Sequence, residues 1–261
     1  MSAPGAAAAG LVLVAAAMAI VWAVAEKIRN AGIVDVAWAA GFTPLAALYA
    51  AVLPGYGPRR LLIAAMTIAW SLRLAGYLYR RVMGHHPVED GRYQKLRADW
   101  GASASHRFFW FFQVQGLLDV ILAGPLLLAC ANPSPRLSWL EWSGALLWLV
   151  SVAGETAADR QLDAFRRDPA NRGRTCRAGL WRYSRHPNYF FEWLVWVAYF
   201  VFALASPWGW TTLYCPLLML YFLFRVTGIP ATEAQALRSR GDDYRRYQET
   251  TSAFFPWVPG E

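Results

Sequence analysis

Seven apolar runs dominate this sequence, at residues 5–25, 31–53, 59–79, 110–131, 138–158, 188–206 and 208–227. Each is close to the ~20 residues that a helix needs to cross a hydrocarbon core. Inside lipid no water satisfies backbone N–H and C=O groups, so runs of this kind must form helices that bond themselves. The expected fold is therefore all-α and polytopic. Seven transmembrane helices form a single membrane domain over residues 1–261, and the two termini fall on opposite sides. Charged residues make up only 16% of the chain, against the ~25% usual in soluble domains.

The loops orient the bundle. No positive charge precedes the first run, while Lys27 and Arg29 follow it. A secretory signal has the reverse asymmetry, so the first run is read as a span with the N-terminus outside. Twenty of the 25 Lys and Arg residues then fall on one side, and only Arg59, Arg60 and Arg136 on the other. By the positive-inside rule the rich side is cytoplasmic, and so is the C-terminus. The cytoplasmic segments are loops 80–109 and 159–187 and the tail 228–261. The net charge of +8 thus reports topology, and no nucleic-acid partner is expected. Cys130, Cys176 and Cys215 have no CxxC spacing, so neither a disulfide framework nor a metal site is expected. Nothing indicates an oligomer.

Charges within the spans carry the functional signal. They are Asp35, Arg73, Asp119, Glu155, Asp159, Glu192 and Arg225, and all but Asp119 fall in the cytoplasmic half. Ionisable groups at membrane depth point to a functional site, here a polar cavity open to the cytosol. The stretch RYSRHPNYFFEW at 182–193 opens the sixth run. Arg182, Arg185, Pro187 and Tyr189 suit an interfacial helix start. Asn188 and Glu192, which share one helix face at i and i+4, are not explained that way and point to a polar ligand. Upstream, DRQLDAFRRDP continues the fifth helix past the membrane. Its arginines suit phosphate, or else anionic headgroups. No GxGxxG follows a strand, and no Walker loop, Gly-x-Ser-x-Gly elbow or His-Glu-x-x-His pair occurs.

An ordered set of segments runs through most of the chain: IVDVAW at 33–38, WSLRLAGYLYRR at 70–81, EDGRY at 89–93, QG at 115–116, GLWRYSRHPNYFFEW at 179–193 and GDDYRRYQETTSAFFPW at 241–257. With these, residues from about 31 to 257 resemble the membrane-embedded steroid 5-alpha-reductase family, most closely its bacterial branch. The resemblance implies a seven-helix enzyme of the bacterial inner (cytoplasmic) membrane. Such an enzyme takes NADPH from the cytosol and reduces the 4,5 double bond of 3-oxo-4-ene steroids, or of a similar enone lipid that enters from the bilayer. It implies cofactor contacts at Asn188, Glu192, Asp159 and Arg166, with Arg73, Tyr77, Tyr189, Arg174, Trp181, Arg185, His186 and Glu233 as further candidates. Where the family often has Asn, this chain has Glu155.

On the substrate side the resemblance puts Asp35 near the ketone. Trp70 falls where the animal enzymes carry a Tyr, and an indole N–H donates a hydrogen bond but cannot give up its proton. Asp35 has Trp38 and Ala39 at i+3 and i+4, so its partner must come from another helix or from the ligand. A carboxylic acid buried in an apolar pocket keeps its proton, which makes Asp35 the expected proton donor, alone or with the Trp70 N–H; the competing reading is an Asp that caps its helix through nearby backbone N–H groups. Two other classes compete. The RHPNY segment also resembles membrane methyltransferases that use S-adenosylmethionine, although their usual pair of adjacent carboxylates is reduced here to Glu233 in TEAQ. A lipid-binding or transport protein would carry polar residues on both sides of the midplane.

Overall fold

The computed structural model describes residues 1–226 and 228–260. Thr227, which ends the seventh apolar run, and Glu261, at the carboxyl end, lie outside the described residues. Every regular element among the described residues is helical, and the chain divides into two compact units. The first comprises Met1–Leu137 with Ala205–Gly209, and the second Ser138–Leu204 with Trp210–Glu261.

The first unit is built on α1 (Ala3–Ile28), α2 (Ile33–Val52) and α3 (Gly57–Met83). Ser2 accepts from Gly5 N–H at the start of α1, and Pro4 stands in the first turn, where its missing N–H costs nothing. Helices α2 and α3 are joined by hydroxyls: Ser71 Oγ donates to Ala39 O at 2.6 Å and lies 2.8 Å from Thr43 Oγ1. Such bonds hold helices together where water offers no competition. A short helix, α4 (Gly91–Trp100), precedes α5 (Ala104–Leu122) and α6 (Gly124–Ala131). The run expected as one span at 110–131 is thus broken. Pro125 has no N–H to offer residue 121, so one helix stops and another starts. Arg59, counted by charge as an outer loop residue, is 1% exposed. Its guanidinium donates to the carbonyls of Asn132, Ser134 and Arg136 at 2.9, 2.8 and 2.6 Å.

The second unit starts with α7 (Trp139–Arg167), opened by a capping box in which Ser138 N–H donates to the Glu141 carboxylate at 2.6 Å. It pairs with α8 (Pro187–Ala203) along its length. A methyl group at Gly144 would come within 2.8 Å of Phe202 N, and one at Gly154 would strike the Phe191 ring. Glycine at both places lets the two helices approach closely. The seventh run is likewise not one straight helix. A turn at Gly209–Leu213 leads into α9 (Tyr214–Tyr221) and a π turn at Phe222–Val226. Then come α10 (Ile229–Arg240), α11 (Asp242–Thr250) and an irregular strap at 252–260.

Five helical stretches among the described residues are long and apolar enough to cross a membrane: Ala3–Ile28, Ile33–Val52, Gly57–Met83, Gly91–Ala131 and Gly209–Arg240. By length and hydropathy this is an integral membrane protein. The fifth and sixth expected spans fall on α7 and α8, which are not among the five. Helix α8 has only 17 residues, and α7 carries all its charges but Glu141 along its second half.

Candidate functional site

In the second unit, α7 carries Glu155, Asp159 and Arg166, at spacings of four and seven that put them on one stripe. At 1.5 Å per residue the stripe is about 16 Å long. Glu155 and Asp159 are buried and Arg166 is exposed. Asn188, in the first turn of α8, donates from Nδ2 to Asp159 Oδ1 at 3.3 Å. The structure therefore brings together two residues 29 positions apart that the sequence marked separately. Glu192 lies one turn further along α8 on the face of Asn188, and both are half-buried.

Beyond the stripe, the end of α7 and the loop after it form a small cavity of about 140 Å³. Arg166, Arg172, Arg174 and Arg240 line it, with Asn171 and Cys176. Local geometry builds this mouth. Asp168 accepts from Ala170 N–H at 2.9 Å, Asn171 Nδ2 donates to Phe165 O at 3.1 Å, and Gly173 turns the chain at φ 78°. Its lining among the described residues holds four guanidiniums and no carboxylate. Three of the four arginines are exposed, and their planar donors suit phosphate. Arg166 and Arg174 were expected here. Arg172 and Arg240 were not singled out, because sequence counts them only as cytoplasmic charge. Burial pushes the Cys176 thiol up, against Arg166 and Arg240, which draw it down.

Other expected contacts have structural partners. The Trp181 indole donates to Ala158 O at 2.9 Å, and Tyr247 O–H donates to Trp181 O, fixing the 179–182 turn against α7. Glu233 of α10 gathers donors from both ends of the unit. Its Oε1 accepts from Arg185 Nε at 2.6 Å and from Tyr244 O–H at 3.3 Å, and its Oε2 accepts from Gln248 at 2.9 Å. His186 Nε2 lies 3.3 Å from the same Oε1, so it carries the hydrogen. Burial holds the His186 ring below its ordinary range, against the opposing pull of Glu233. Arg185 also donates to Gln248 O and Thr251 O at 3.0 and 2.6 Å. This knot fixes the start of α8 and with it Asn188. Tyr189 stacks on His186 at 5.3 Å and faces Thr232 Oγ1 at 3.1 Å.

The first unit holds the remaining expected residues. Asp35 opens α2, and its partners come from other helices. Tyr93 O–H donates to Oδ1 at 2.6 Å and Arg92 to Oδ2 at 3.0 Å, with Arg81 at 3.7 Å. All three are donors and two carry positive charge. Asp35 is therefore not the lone acid that its own helix suggested. The O–H in the cluster belongs to Tyr93, which is buried and which sequence reading passed over. Trp70 is fully buried against Phe42, ring centroids 5.4 Å apart, and so sits in the core instead of lining a cleft. Arg73 and Tyr77 follow it on α3, half-buried. Asp119 is fully buried against Gly41 of α2, with no hydrogen-bond partner for either oxygen among the described residues. Among those residues no group of three or more His, Cys, Asp or Glu converges to hold a metal ion.

These features define a helical, polytopic integral membrane protein whose second unit carries a part-buried amide–carboxylate pair and an arginine-lined mouth. Within that class the chain belongs to the family described as "Protein of unknown function (DUF1295)", which matches residues 21–251. It is 29% identical to "Uncharacterized protein C594.04c" of Schizosaccharomyces pombe (strain 972 / ATCC 24843) over a 275-residue alignment. That alignment covers 92% of this chain and 77% of the yeast protein. No solved structure matches the chain.

Proposed function

We propose that this protein is an oxidoreductase of the bacterial inner membrane that binds NADPH and reduces the 4,5 double bond of 3-oxo-4-ene steroids or of a similar enone lipid. The observation that carries the reading is the α7 stripe. One end bears Asp159 bonded to Asn188, groups that suit a carboxamide and a ribose, and the other bears Arg166 among three further arginines. These two ends lie about 10 Å apart along the helix, and a ligand matching both is polar at one end and phosphorylated at the other, which is the character of a nicotinamide dinucleotide. An adenosylmethionine sulfonium would meet four like charges at that mouth.

In this reading α7 and α8 cross the membrane too, making seven spans with the N-terminus outside and the C-terminus in the cytosol. Bound NADPH supplies the hydride. Asn188, Asp159 and Glu192 orient the nicotinamide end, and Arg166, Arg172, Arg174 and Arg240 hold the phosphates. The substrate proton is assigned to the Tyr93–Asp35 pair, in which Asp35 and Arg92 fix the phenol. Placing a donor where charge develops on a ketone oxygen is the usual electrostatic contribution of a protein to such a step. Trp70 takes no part, because it is sealed in the core. The test is NADPH oxidation by the purified protein with a 3-oxo-4-ene steroid. Consumption that depends on steroid supports the reading. Methyl transfer from adenosylmethionine, with no NADPH consumed, replaces it.

A further inference from the structure

The C-terminal strap has a surface that the cofactor reading does not use. It is a fixed element. Arg185 N–H donates to Ser252 O and Ser184 Oγ to Phe254 O, both at 2.8 Å. Trp257 N–H donates to Tyr183 O at 2.9 Å, and Gly260 N–H to Thr250 O at 2.8 Å. The side chains then divide. Phe254 turns inward and is 2% exposed, clustered with Leu223, Ile229, Phe190 and Trp193. Phe255, Trp257 and Val258 turn outward and are 54%, 73% and 74% exposed.

We propose that this strap is an interfacial anchor seated in the inner leaflet of the bilayer, with Phe255, Trp257 and Val258 as its lipid-facing side chains. Continuity selects that occupant. The Phe255 ring lies 5.9 Å from both Phe190 and Trp193 in the first two turns of α8, and Phe224 after α9 lies 5.2 Å from Phe254. The exposed patch therefore runs into the apolar flanks of helices that begin or end there, with Tyr221 and Phe224 also exposed. Aromatic rings with apolar bodies collect at this level of a membrane, and an amphipathic surface segment lies with its apolar side at the acyl boundary. Exposed Arg182, next to Tyr183, and Arg246 on α11 suit anionic headgroups. An added peptide strand is disfavoured. Pro256 and Pro259 have no N–H, and those of Trp257 and Gly260 are already taken.

The experiment uses the full chain in phosphatidylcholine vesicles containing phosphatidylglycerol. All three native cysteines are buried, so a nitroxide on Trp257→Cys reports one place, and Asp242→Cys on α11, 84% exposed, serves as the aqueous reference. The strap label is expected to be several-fold less accessible to a water-soluble nickel chelate than the reference, and more accessible to oxygen. Val258→Cys repeats the measurement should Trp257→Cys fail to insert. Equal nickel access at strap and reference overturns the anchor. So does a strap label shielded from both relaxants with spin–spin broadening, which means that a second copy covers it. Neither outcome depends on whether NADPH binds.

Discussion

Replacing Asn188 by alanine tests the amide–carboxylate pair at the heart of the second unit. The amide donates to Asp159, a carboxylate only 5% exposed. A hydrogen bond to a charged group contributes roughly 1.5–3 kcal/mol. At 3.3 Å this one is longer than the usual N–H···O distance, so the lower figure applies, about 1.5 kcal/mol. Losing that bond lowers stability; a second bond of similar strength from the amide to the cofactor, at ~1.4 kcal/mol per factor of ten in affinity, should make the NADPH Kd of Asn188→Ala rise about tenfold. Binding is measured by titration in detergent, with a thermal unfolding scan on the same sample to separate lost affinity from lost fold. An unchanged NADPH Kd in folded Asn188→Ala, together with an unchanged Kd in Glu192→Ala, removes these residues from the cofactor site.

Tyr93→Phe removes the O–H bonded to Asp35 and should lower steroid turnover by ~10²–10⁴-fold, the usual share of one acid–base group, with NADPH affinity unchanged; near-normal turnover ends the assignment. Asp35→Asn should lose turnover as well, since an amide does not pair with Arg92 and Arg81 as a carboxylate does. Arg240→Ala should weaken NADPH more than NADH, because only NADPH carries the extra phosphate; an equal effect on both would place that phosphate elsewhere. His186 titrates below its ordinary value because it is buried. As pH falls, the unfolded chain therefore takes up the proton first. Stability from the neutral ring is intact above about pH 6.5 and declines below it. The unfolding midpoint should drop between about pH 7 and pH 5.5, and His186→Gln should flatten that drop.

Much of the second unit was legible in the sequence because its signals are local. Asn188 and Glu192 stood out by helical spacing, and Asp159 and Arg166 by charge at the end of an apolar run. The arginine mouth was only half legible. Arg240 reaches it from α10, and nothing along the chain announces that return. Asp35 shows the same limit. Its own helix offers no partner at i+3 or i+4, so sequence left it as a lone acid, whereas α4 folds back to bring Arg92 and Tyr93. The break in the fourth apolar run was readable in Gly124-Pro125, but hydropathy alone spans it. Trp70 was marked only through the family resemblance, and packing against Phe42 puts it in the core.

Whether the second unit holds a phosphorylated nicotinamide dinucleotide is decided by mass spectrometry of the small molecules released from gently purified protein. NADP(H) should be retained in the wild type and lost or depleted in Asn188→Ala and Arg166→Ala. Release of S-adenosylmethionine or S-adenosylhomocysteine from wild-type protein, with no nicotinamide dinucleotide bound even when NADPH is added, would contradict it.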